Sequence, residues 1–467
     1  MEKCGFSQTL LQLYEENHFM KFDEFIVRKF LDITEGEPLT DRMRKTAYQN
    51  FYNSIGKVEI ASPVTMHRWF GLSGYAKPNR IHIFQMAFCL KLSRQQTEEY
   101  LLTGLNENSF QINDYHEMIY LYGIENAMTF EQCQHMIDLF EKNLTTDMEI
   151  SYTRNTKQMM QQYEQRKSLP VNEFLLFMID NIMYFKGYSN TALTYLMEYR
   201  KQVLLYIRKD ARKGVENLLD ETDYRAWKRK HLFSRKKDSY DLIRKYLKSS
   251  HKRTVSEMLA DNILELAKMA YSKLDNSSLV HDELFFDGGG LYSKSKHSEV
   301  RNMTMKHMSD LLRVAEQKEQ AVRILAAIRM LENVNEDTAC PPEVLELLEQ
   351  LTGEGKDGWN CGEALIWLKH YKKEHKRREL VVQRRDLLPF VLYVTQQRYL
   401  EQINGDMEVY EQEVATKMFR QAADDVLTAC NMQTLQENRE LDAVLLACFR
   451  EDEMYGYQDV LEVLYGG

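Results

Sequence analysis

Chain breakers are scarce in this sequence. Only 20 glycines and 7 prolines punctuate 467 residues. The stretches between them are rich in Leu, Glu, Lys, Met, Gln and Arg, the side chains that lose least on entering a helix. That inventory favours helix interiors over turn-rich sheets, so the expected class is all-α with few strands. The length exceeds what one ordinary core serves, which predicts two or three domains.

Composition then excludes several function classes. The seven cysteines (Cys4, Cys89, Cys133, Cys340, Cys361, Cys430 and Cys448) are odd in number and scattered, with no C-x-x-C pair and no histidine at zinc spacing. They read as buried thiols in a reducing compartment. The 24 methionines read as flexible filler between helices. At the N-terminus, Glu15 and Glu16 interrupt the one apolar stretch, so no secretory signal is expected. The longest apolar cluster, residues 174–179, is far short of the roughly 20 residues that span a bilayer. A cytoplasmic protein with no membrane partner is the expectation. A net charge of -9 argues against a surface coated in positive charge, but a local basic face remains compatible with it.

Helical spacing and breaks divide the chain into a helical domain over residues 1–145, a middle helical region over 146–275 with a basic stretch, and a C-terminal helical region over 299–467. The first domain should contain a helix-turn-helix-like module at about residues 40–105. Within it, Thr40 is a plausible N-cap. The polar run 143–170, ending at Pro170, is where the first boundary is placed. Apolar stripes recur at Leu259, Ile263, Leu266, Ala267 and Ala270, and again at Met308, Leu311, Leu312, Ala315, Val322 and Leu325. Between these stripes, residues 275–298 with Gly288, Gly289 and Gly290 read as the longest loop. Residues 440–464 form an amphipathic tail expected to dock on the body.

Residues 62–105 carry the most chemistry. A helix that enters the major groove needs a firm N-cap, exposed side chains that reach base edges, and apolar residues behind. Here Ser62 can cap, Pro63 suits the first turn, and Met66 and Trp69, three apart, can share the inward face. Val64, His67 and Arg68 then look outward or along the flank. Gly71 and Gly74 can take positive φ in the turn that follows, which leads to Lys77, Pro78 and Arg80. Next come a core stripe of Ile83, Phe84, Ala87 and Leu90 or Cys89, and a capping box from Ser93 to Gln96.

The order Ser62, Thr65, Trp69, Gly74, Lys77, Pro78, Ala87, Leu90, Leu92, Ser93 resembles repressor and Xre-type helix-turn-helix domains of bacteria over about a tenth of the chain. In that pattern the recognition helix ends at an aromatic, a Gly-Lys-Pro turn follows, and two helices close the domain. The resemblance implies double-stranded DNA as partner. Val64 and His67 would face bases, while Ser62, Thr65, Arg68, Lys77 and Arg80 would contact phosphates or brace the helix. Two features depart from the pattern: the stretch from Trp69 to Pro78 is longer by about two residues, and KVEIAS stands where a compact Gln-containing helix usually precedes. Residues 110–137 resemble extensions that follow such domains in bacterial proteins, which implies a bacterial origin and carries no activity.

Further along, twelve Lys or Arg between residues 225 and 253 alternate with Trp227, Phe233, Tyr240 and Tyr246. Such a run can track a phosphate backbone, or it can be a solvated helix face with core aromatics. His370 and His375 sit five apart, off the spacing of four that a zinc helix needs. No acidic cluster at readable spacing suggests a metal, and no cofactor or catalysis is expected. The sequence therefore reads as a DNA-binding regulator with a helical sensing or oligomerisation region, compatible with a homo-oligomer; the alternative is a helical interaction scaffold without DNA binding.

Overall fold

The computed structural model describes residues 19–34, 36–143, 155–185, 189–231, 233, 235–250, 255–271, 277–285, 314–353, 358–374 and 381–465. Among the described residues, nine α-helices fill the N-terminal part: α1 (Phe22–Leu31), α2 (Asp41–Ser54), α3 (Pro63–Trp69), α4 (Arg80–Leu90), α5 (Arg94–Glu99), α6 (Tyr115–Glu125), α7 (Phe130–Lys142), α8 (Thr156–Arg166) and α9 (Val171–Asp180). Polar side chains start several of them. The Thr40 hydroxyl accepts the Met43 N–H at 3.3 Å, and Ser62 accepts from Thr65 at 3.3 Å. Ser93 and Gln96 exchange reciprocal bonds at 3.2 and 2.9 Å. Each cap satisfies an orphan donor and contributes about 1 kcal/mol.

One aromatic-rich core joins eight of these helices and the Tyr100–Gly104 segment that continues α5, running from Phe22 to Phe185. In α6 the side chains of Met118, Ile119, Tyr120, Leu121 and Tyr122 are all buried, so this helix shows no amphipathic stripe. It lies close against α7 because Gly123 carries no side chain: a Cβ there would stand 2.2 Å from the Cys133 sulfur. Met159, Tyr163, Phe174, Phe177, Met178 and Phe185 belong to the same core as α1 and α7. The polar composition of residues 155–170 reflects the solvent face of α8, and the few apolar side chains on its other face carry the packing.

The next helix, α10 (Asn190–Asp220), is 31 residues long and begins at the Ser189 cap. Its N-terminal half presents Leu193, Leu196, Val203 and Ile207 to a second core. That core is completed by α14 (Ser277–Leu284), α18 (Arg384–Gln402), α19 (Gln412–Ala429), α20 (Glu440–Leu446) and α21 (Tyr457–Tyr465). Its C-terminal half sends Val215 and Leu219 into a third core with α11 (Tyr224–Lys230), α12 (Tyr240–Ser250) and α13 (Glu257–Tyr271). A fourth core is formed by α15 (Val314–Glu332), α16 (Pro342–Thr352) and α17 (Cys361–Glu374). Cys340 and Cys361 lie side by side there as free thiols, and burial with the neighbouring Cys361 pushes the Cys340 thiol up to about 11.

The cores do not follow chain order. Residues 382–461 pack with the first half of α10, whereas α15 to α17 form a core of their own. The stretch read as a long loop contains α14, whose Val280 and Leu284, with Phe285 just beyond it, enter the second core. Its triglycine and Met308, Leu311 and Leu312 of the later stripe lie outside the described residues. Ile263, Ala267 and Ala270 of the other stripe are buried, and the tail docks through Leu441, Val444, Leu445, Val460 and Leu461.

The first and second cores meet at a polar seam. The Asn431 side-chain amide donates to the Phe110 carbonyl at 3.1 Å, and the Thr156 hydroxyl donates to Asn113 at 3.0 Å and lies 2.9 Å from the Thr191 hydroxyl. Among the described residues there is no strand, only isolated bridges between Ala339 and Asn360 and between Phe449 and Met454. The chain is all-α, and none of its described helices is long and apolar enough to cross a membrane.

Candidate nucleic-acid interface

Local chemistry explains why α3 stands where it does. Ser62 closes its first turn, the Ser62 and Thr65 hydroxyls are 2.8 Å apart, and Pro63 occupies the first helical position. Met66 and Trp69 are both 0% exposed, anchoring one face. On the other face Val64 is 58% exposed and Arg68 is open to solvent, while Thr65 and His67 are half-buried. The helix is thus surface-mounted, with its N-terminal half free.

α2 braces it from the side. The Tyr48 ring meets the His67 ring edge-on at 4.3 Å and stacks on Tyr52 at 5.9 Å. Phe70, the residue that ends α3, contacts Tyr48, Phe51 and Phe30 at 5.5, 5.3 and 6.3 Å. Arg44 ties three elements together, donating to Asp23 at 2.6 Å and to the Phe70 carbonyl at 2.9 Å. The α2-to-α3 connection spans residues 55–62.

The turn after α3 folds back onto it: the Arg68 carbonyl accepts from both Gly71 and Ala76 at 3.2 Å. Gly71 has φ +71° and Gly74 φ +90°, the left-handed region in which glycine is cheapest. A Cβ at Gly71 would stand 2.3 Å from Arg44 Nη1 and 2.8 Å from Asp23. Gly71→Ala is therefore expected to combine backbone strain with loss of the Arg44–Asp23 bridge, a destabilisation of about 1–3 kcal/mol. Urea unfolding of the variant checks this, and a change below roughly 0.5 kcal/mol would show that the turn relaxes freely.

Beyond the turn, Trp69 packs 5.1 Å from the ring of His82. His82 Nδ1 accepts the Asn79 N–H at 3.2 Å, and burial holds its pKa below the ordinary value, which favours the neutral ring this bond requires. Lys77 is half-buried and pairs with Glu107 at 3.3 Å. Of the two roles implied for Arg80, contacting phosphate or bracing, the geometry assigns bracing. Its guanidinium reaches both Glu117 oxygens at 2.7 and 2.6 Å and the carbonyls of Asn108 and Ser109 at 2.7 and 3.0 Å. Burial disfavours the cation, yet Glu117, with Glu107 and Asp114, holds the Arg80 pKa above its ordinary value.

Ser62, Val64, Thr65, His67 and Arg68 are thus brought to one surface, with Lys77 and Arg80 at the far corner in internal ion pairs. Sequence reasoning missed Arg44, Tyr48 and Phe70. Only the Tyr48, Phe51, Tyr52 spacing on α2 hinted at an aromatic face there. Lys45, one turn before Tyr48, and Arg42, Lys57 and Arg68 are exposed, and none of the four has a carboxylate within ion-pair distance among the described residues. No cluster of three or more His, Cys, Asp or Glu able to hold a metal occurs among the described residues. In comparisons with known proteins, no family model, curated protein or solved structure matches the chain.

Proposed function

We propose that this chain is a DNA-binding regulatory protein, in which α3 lies in the major groove of double-stranded DNA and the remaining helical cores serve sensing or self-association. One observation carries the reading: a capped helix is pinned by the fully buried Met66 and Trp69 while Val64 and Arg68 project into solvent. Val64 suits apolar contact with a thymine methyl group, and His67, steadied by Tyr48, can reach a base edge. Arg68 and the capping pair Ser62 and Thr65 are placed for phosphate, with Arg42, Lys45 and Lys57 adding positive charge. On this reading the protein works in a bacterial cytoplasm, where its scattered cysteines stay reduced.

Selection from random duplex DNA at stated salt, followed by titration, tests it. Arg68→Ala is expected to weaken binding to all sequences and to flatten the slope of log affinity against log salt by about 1. His67→Ala should relax preference at one base position by about 1–3 kcal/mol of discrimination. Equal binding by the parent and both variants removes the proposal. The exposed Val64 also suits a protein-binding face on an interaction scaffold. That reading predicts no retention of duplex DNA at any salt.

A further inference from the structure

The third core carries an unusual surface. α11 buries Tyr224 and Trp227 and leaves Arg229 and Lys230 in solvent. α12 buries Leu242, Ile243, Tyr246 and Leu247, so Arg244, Lys245 and Lys248 form one solvent stripe. Between the helices, Arg235, Lys236 and Lys237 are exposed as well. Three nearby carboxylates are already engaged: Asp238 holds Lys228 and the Tyr224 hydroxyl, both at 2.6 Å, Asp220 holds Arg225 at 2.7 Å, and Asp223 accepts from Tyr246 at 2.6 Å, which leaves Asp241 as the exposed carboxylate on α12 itself. Eight cations remain without a carboxylate partner among the described residues, on a chain whose net charge is -9.

Phe233 concentrates that charge. Lys236 and Lys245 place their ammonium groups 5.1 and 5.0 Å from the centre of this single ring, so the two charges lie no more than about 10 Å apart. The ring itself is fixed by Trp227 at 6.0 Å and by its N–H bond to the Lys228 carbonyl at 3.0 Å. Like charges held this close repel, and an external row of anions relieves the repulsion.

We infer that the α11–α12 face is a second DNA contact, independent of α3, that binds the phosphate backbone of a duplex without reading sequence. Charge selects a polyanion, and the placement of the aromatics selects its form. Tyr224, Trp227 and Tyr246 are buried and Phe233 and Tyr240 half-buried, so no ring stands fully open as a platform for unstacked bases, which disfavours single strands. No large apolar side chain is exposed among the described residues from 220 to 250, so the surface lacks the anchors that insert into a lipid interface.

The test uses the full chain carrying Lys236→Gln, Arg244→Gln, Lys245→Gln and Lys248→Gln, with fluorescence anisotropy on a random duplex of about 25 base pairs at roughly 50 to 200 mM salt. The slope of log affinity against log salt should fall by about 3 to 4, and affinity at the lowest salt at least tenfold, with sequence preference unchanged. If that variant melts early, Arg235→Gln with Lys237→Gln should lower the slope by about 2, since both side chains are wholly peripheral. An unchanged slope in the folded variants overturns the inference. So does a loss seen only with phosphatidylserine vesicles or only with a single strand. Arg68→Ala and His67→Ala, assayed in parallel, report on α3 alone, so failure of one contact is separable from failure of the other.

Discussion

Replacing Arg384 with methionine is expected to destabilise the second core by about 3–5 kcal/mol. Arg384 and Asp442 are 1% and 0% exposed, joined at Nε to Oδ1 over 2.7 Å and again through Nη2 to Oδ2. The same guanidinium donates to the carbonyls of Gln433 and, at 3.1 Å, Thr434, while Asp442 also accepts the Gln436 N–H at 2.8 Å. Methionine preserves volume and helix propensity, so packing changes little. What it removes is the countercharge of a carboxylate that water cannot reach, together with donors for two backbone carbonyls. Calorimetry should show the transition of this core lowered by roughly 10 °C. A drop below about 2 °C would mean that solvent enters and takes over the lost bonds.

Arg80→Ala should be nearly as costly, about 3–5 kcal/mol, because it strands Glu117 inside the first core. It also releases the carbonyls of Asn108 and Ser109, and with them the strand of chain whose Phe110 carbonyl receives Asn431. Lysine keeps the charge but lacks the planar fork, so Arg80→Lys should rescue little of the stability. Duplex binding by the folded fraction should keep its parental salt slope, since no phosphate contact is lost. A variant that melts like the parent yet binds with a slope lower by about 1 would instead put Arg80 on the DNA.

The features that were legible in the sequence are the ones that chemistry fixes within a few residues. The caps at Thr40, Ser62 and Ser93, the inward pair Met66 and Trp69, and the positive-φ glycines Gly71 and Gly74 depend on neighbours at most four positions away. Contacts between distant residues were not legible. Arg80 finds Glu117 thirty-seven positions on, Arg384 finds Asp442 fifty-eight on, and Arg44 meets Phe70 across two helices. Nothing in the order of residues marks such partners. The packing of residues 155–170 was hidden for the same reason: Met159 and Tyr163 are two apolar side chains in a polar run, and their importance lies in what they touch. The helix at Ser277–Leu284 was hidden because serines and a nearby triglycine dominate its composition, although Val280 and Leu284 suffice to seat it.

The length of α10 sets a mechanical relation between the molecule's parts. Thirty-one residues make a rod of roughly 45 Å, gripped near one end by the core that holds Arg384 and near the other by the core that displays the lysines. Inserting one alanine between Ala211 and Val215 would swivel the far body by about 100° around the rod and break the packing of α13 along it, where Gly214 meets Leu266. Torque applied at one end therefore re-aims the other, much as a key shaft turns its bit.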